Sequence, residues 1–130
     1  MVSFKLGDMY FEYDEWKNQY NINEHGISFK TAARVFFDFD RIELYDEENS
    51  SGEDRYDTIG DISAGTVRLK ESLGVSVGLL KGQEQNSDIL YVVYAERFTR
   101  TADGKIVDVT RLISARLATK FERGVYYGKY

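Results

Sequence analysis

"DEWKNQYNINEHGISFKTAARVFF", residues 14–37, decides the fold, because it can be read as two helices meeting at one tight turn. Asp14 offers an N-cap side chain, and Gly26 is the residue type that ends a helix in the left-handed region, so the spacing predicts a helix over about 15–25. Trp16 and Tyr20 are then an i, i+4 apolar pair expected in the core, and Lys17, Asn21 and His25 share the adjacent face. Ser28 can cap a second helix, on which Phe29, Ala32, Ala33 and Phe36 make an apolar stripe. So short a connection folds the two helices back into an αα-hairpin.

On either side the period changes from helical to alternating. Upstream, "DMYFEYD" (8–14) reads as a strand. Downstream, "RIELYD" (41–46) is a short strand, "DEENSSGED" (46–54) an acidic loop, and "RYDTIGDIS" (55–63) another strand. Periodicity leaves 64–88 open between hairpin and short helix. "ILYVVYAERF" (89–98) is apolar on both faces, as a central strand is. Asp103-Gly104 supplies a tight turn, "KIVDVTRLISAR" (105–116) returns antiparallel, and Thr119 with Glu122 forms a capping box for a short closing helix. The expected fold is α+β: N-terminal strand, αα-hairpin, antiparallel meander and short C-terminal helix.

Length and charge bound the chemistry. At 130 residues the chain fits one domain, residues 1–130, and with 42% hydrophobic residues it has enough apolar material for a core. No apolar run approaches a bilayer span, and the first residues lack the layout of a secretory signal, so no membrane association and a cytoplasmic location are expected. Without cysteine and with one histidine, thiolate catalysis and cysteine- or histidine-rich metal sites drop out, and the acidic loop lacks the calcium-loop pattern. No metal or other cofactor is expected. The net charge is −5, yet from Arg97 onward eight lysines and arginines face three acids. The last quarter is therefore basic, and the acid excess lies before it.

Four pieces in order, "FEYDEWKNQYNINEHGISFKTAARVFFD" (11–38), "GEDRYDTIG" (52–60), "YVVYAER" (91–97) and "RLISARLATKFERGVY" (111–126), resemble the BrnT family of toxins from type II toxin-antitoxin systems. The resemblance implies a RelE-like fold and a metal-independent ribonuclease that arrests translation by cutting RNA. It also implies a BrnA-type antitoxin with a ribbon-helix-helix part, and contact with operator DNA only through the toxin-antitoxin complex. Residues 64–88 look longer than the family's corresponding connection and read as an inserted segment.

A metal-free ribonuclease must take a proton from the 2′-hydroxyl, neutralise charge on the phosphorane and protonate the leaving oxygen. Arginine's planar fork suits phosphate, so Arg97 and Arg111 on neighbouring strands are the expected clamp, with His25 or Glu53 moving protons. Lys17, Arg55 and Arg116 are the candidate RNA contacts. His25 has an equally plain reading as the end of its helix, where a basic residue suits the dipole. Strict strand alternation sends Arg111 and Arg116 to opposite faces, leaving Arg116 a bridging role. Tyr126 and Tyr127 read either as base-stacking residues or as core with a polar tip. The alternative function is a non-catalytic module that binds an antitoxin or nucleic acid.

Overall fold

The computed structural model describes residues 1–72 and 88–128. A six-stranded sheet, β1 (Val2–Leu6), β2 (Met9–Tyr13), β3 (Ile42–Tyr45), β4 (Arg55–Asp61), β5 (Ile89–Arg100) and β6 (Ile106–Leu117), runs in the order β1-β2-β6-β5-β4-β3. Strands β3 to β6 form the expected antiparallel meander. Among the described residues, the α-helices α1 (Glu15–His25), α2 (Phe29–Ala32), α3 (Ile62–Ser72) and α4 (Lys120–Tyr126) complete the α+β fold.

The N-terminus departs from a single strand. Residues 2–13 form a hairpin whose two-residue loop, Gly7-Asp8, has positive φ only at Gly7 (57°), the sign pattern of a type II′ turn. β2 then pairs in parallel with β6, Glu12 lying opposite Arg111, so the chain's two ends meet at the sheet centre. Residues 64–72 are helical, and 73–87, the rest of the expected inserted connection, lie outside the described residues.

The helix–stop–helix reading holds in its caps. Asp14 accepts from the backbone N–H groups of Trp16 and Lys17, Gly26 sits at φ 70°, and Ser28 caps α2, which passes after one turn into a 3-10 helix at Ala33–Phe37. The buried face of α1 differs from the expectation. Trp16 and Tyr20 stack on each other but are 73% and 56% exposed, while Asn18 and Asn21 are buried. The two asparagines tether α1 by hydrogen bonds. Asn21 accepts from Ala115 N–H and donates to the carbonyls of Ala115 and Ile27, and Asn18 accepts from Phe29 N–H. Backbone groups at the hairpin turn and on β6 require both a donor and an acceptor there, and one asparagine amide supplies both.

One sheet face is thereby covered. Phe11, Tyr13, Phe29, Val35, Phe36, Leu90, Val92, Tyr94 and Leu112 form the main core beneath α1, α2 and the 3-10 helix. A smaller cluster of Ile59, Ile89 and Ala118 packs with Tyr91, Val125 and Tyr126 where α4 crosses one end of the opposite face. The rest of that second face carries the charged residues.

Candidate functional site

Register assigns the faces. On β5, Leu90, Val92 and Tyr94 point into the main core, so Tyr91, Val93, Ala95 and Arg97 occupy the other side. Cross-strand partners share a face. Arg55 on β4 and Arg111 on β6 both oppose Ala95, and Glu12 on β2 opposes Arg111. The row Arg55–Ala95–Arg111–Glu12 thus crosses four strands, with Arg97 one residue pair further along β5. Ala95, the smallest side chain in the row, leaves three arginines as neighbours around it.

Arg116 joins them on this face, contrary to strict alternation. Val93 pairs with Ser114 and Tyr94 with Leu112, so Ile113 is the extra residue of a β-bulge. The bulge resets the parity between Arg111 and Arg116.

Each arginine has a different environment. Arg111 directs Nε (3.0 Å) and Nη2 (2.9 Å) to Oε1 of Glu12. Arg97 Nη2 lies 2.5 Å from Glu53 Oε1, bringing the acidic loop to β5, while its buried Nε–H has no partner among the described residues. The Arg55 side chain makes no salt bridge among the described residues. Arg116 is held most firmly: Nη1 and Nη2 donate to the two oxygens of Glu122 at 2.7 and 2.9 Å, and the guanidinium lies 4.2 Å from the Tyr91 ring centre. Burial pushes Glu122 upward, but the bonds from Arg116 and the Thr119 backbone carry its carboxyl below the usual range. Since Glu122 also completes the expected capping box, Arg116 anchors α4 to the sheet.

Beneath this network the Tyr91 hydroxyl donates to Asp57 Oδ2, while Asp57 Oδ1 is buried without a hydrogen-bond partner among the described residues. Burial raises the Asp57 carboxyl, the Tyr91 bond pulls it back, and the Asp46 charge raises it again. Because the folded value lies above the unfolded one, ionisation of Asp57 weakens the fold, and that penalty vanishes as pH falls to the aspartate range of about 4. Asp57→Asn keeps an acceptor for Tyr91 and gives Asp46 a donor. It is therefore expected to raise the melting temperature by a few degrees at neutral pH and to lose that advantage near about pH 4 in a thermal-unfolding series.

The remaining candidates stand apart. His25 and Lys17 are exposed on α1, on the covered side of the sheet. His25 borders a hollow of about 460 Å³ with Ile62, Leu90 and Leu117, residues that face the helices. The structure thus brings together Glu53, Arg55, Arg97, Arg111 and Arg116, and does not bring His25 or Lys17 to them. Tyr126 is partly buried and donates to Asp38 Oδ2 at 2.6 Å, the polar-tip reading, and its ring meets Tyr127 edge-on. Sequence reading missed Glu12 and the Asp57–Tyr91 pair, whose partners are distant in the chain. Glu12 did carry a signal, as the charged residue of the "MYFEY" alternation, facing away from the core side of Phe11.

The helical hairpin on one side, and arginines with carboxylates on the other beside α4, define a small α+β protein with a charged sheet face suited to an anionic ligand. Residues 13–69 match the family described as ribonuclease toxin, BrnT, of type II toxin-antitoxin system. The match runs from the last residue of β2 into α3 and includes Glu53 and Arg55, whereas Arg97, Arg111 and Arg116 lie beyond it. No curated protein matches the chain. No helix among the described residues is long and apolar enough to cross a membrane.

Proposed function

We propose that the chain is a metal-independent ribonuclease toxin whose RNA-cleaving surface is the open sheet face around Ala95. The supporting observation is the convergence of Arg55, Arg97 and Arg111 about one small residue, with Glu53 in contact with Arg97. A phosphate between Arg97 and Arg111 meets two guanidinium groups on adjacent strands, diagonal neighbours whose Cβ atoms stand roughly 7–8 Å apart. Glu53 takes the 2′-hydroxyl proton, the 2′ oxygen bonds to phosphorus, and the P–O5′ bond breaks with a solvent proton going to the 5′ oxygen. The products are a 2′,3′-cyclic phosphate and a 5′-hydroxyl end. Arg55 guides the strand, Arg116 serves the fold, and His25 closes α1 while Lys17 remains a surface lysine.

The partner in this reading is a BrnA-type antitoxin that covers the basic face, with operator DNA reached only through the complex, translation arrest as the outcome in the cytoplasm, and an inserted segment near residues 64–88 in a single RelE-like domain. Purified protein in excess chelator is expected to cut RNA and leave 2′,3′-cyclic phosphate ends. Cleavage that requires added magnesium contradicts the mechanism, and toxicity without cleavage favours the non-catalytic module.

A further inference from the structure

Beside the arginine cluster, toward the β1 edge, the open face dips into a hollow of about 290 Å³ lined by Ser3, Lys5, Tyr10, Glu12, Thr99 and Val109. Register connects it directly to the cluster. Tyr10 opposes Val109, which opposes Arg97, so Tyr10 lies two strand spacings, roughly 10 Å, from Arg97 on the same face. That is the reach from a phosphate to the base of the same nucleotide.

The lining suits a planar ring with a hydrogen-bonding edge. Tyr10 offers an aromatic surface and the buried Val109 an apolar floor. The Lys5 ammonium lies 5.3 Å from the Tyr10 ring centre, and it makes no ion pair among the described residues, so it can swing to a phosphate. Glu12 decides the edge. Both of its contacts with Arg111 fall on Oε1, which leaves Oε2 as an acceptor at the wall of the hollow. A carboxylate oxygen accepts from an exocyclic amino group, which uracil lacks, and the two carbonyls that flank uracil N3–H repel it.

We infer that this hollow is a nucleobase subsite that takes an amino-bearing base, with Tyr10 as stacking platform and Glu12 Oε2 as the acceptor that rejects uracil. The inference rests on the ribonuclease reading for its role in cleavage but not for its binding chemistry. In that role Glu12 does two things: it fixes Arg111 and reads the base next to the phosphate that Arg111 holds.

The test is binding of ribonucleoside 5′-monophosphates to the intact protein, followed by amide shifts, with purine riboside 5′-monophosphate as the isostere of AMP that lacks the amino group. AMP, GMP and CMP are expected to bind about tenfold or more tighter than UMP and purine riboside monophosphate, with shifts centred on Tyr10, Glu12 and Thr99. Tyr10→Leu is expected to weaken all five by about tenfold, the loss of a stacked ring. Glu12→Gln, with shape and fold kept, is expected to erase the discrimination against UMP. Equal affinity for all five, absent binding, or shifts confined to other surfaces overturns the subsite. Base-selective binding without RNA cleavage leaves the subsite standing and defeats the ribonuclease reading, whereas RNA cleavage indifferent to the adjacent base does the reverse.

Discussion

Replacing Arg111 by alanine is expected to lower the RNA-cleavage rate by about 10²–10³-fold, the loss typical of removing one preorganised donor to a developing oxyanion. The side chain reaches Glu12 through Nε and Nη2, so Nη1 is the corner of the fork left for phosphate. Alanine removes the phosphate contact and frees the Glu12 carboxylate to repel the substrate. Arg111→Lys restores charge without the planar fork, and only a partial recovery is expected. Because Arg111 is part-exposed at the end of a three-residue parallel pairing, its fold should survive. Cleavage assays paired with thermal unfolding read the two effects apart, and an unchanged rate in folded Arg111→Ala removes the clamp from the mechanism.

The largest effect on stability is expected at Gly65, in α3. A Cβ there would lie 1.8 Å from the Arg34 carbonyl oxygen and 2.8 Å from its carbon, both backbone atoms of the 3-10 helix. Glycine is helical at this position without a positive φ, so helix propensity alone would make alanine the better residue by about 1 kcal/mol. The contact reverses that sign: α3 must move away from the 3-10 helix, at a cost of roughly 3 kcal/mol or more. Gly65→Ala is therefore expected to lower the melting temperature by about 10 °C or more. Gly104→Ala separates contact from conformation. It meets nothing within 4 Å but sits at φ 86°, so it should cost only about 1 kcal/mol. Similar losses at the two positions would show that α3 yields easily.

Local signals carried much of this fold. Caps at Asp14, Gly26, Ser28 and Thr119 are contacts within a few residues, and alternation over 89–98 reflects burial on both faces, so both are legible from sequence. What failed depended on partners far along the chain. Trp16 and Tyr20 have the spacing of a buried pair, but the covered face of α1 was chosen by the needs of Ala115 and Ile27 backbone groups, which only Asn21 meets. The face of Arg116 turned on a bulge at Ile113, an isoleucine that carries no mark of irregularity. In the candidate site, residue type and strand assignment pointed to Arg97, Arg111 and Glu53, while the separation of His25 followed from α1 packing on the sheet side opposite the arginines. Glu12 was hidden because parallel pairing of β2 with β6 joins two segments that no hairpin connects.

That pairing also sets when the charged face is completed. Glu12 and Arg111 are 99 positions apart, so when a ribosome makes this chain the carboxylate exists well before its arginine. At synthesis rates of about 5–20 residues per second, the interval is roughly 5–20 s. Throughout it β6, the strand that completes the charged face, is unfinished. In the proposed ribonuclease, the RNA-cutting face is therefore incomplete until Arg111 has been made.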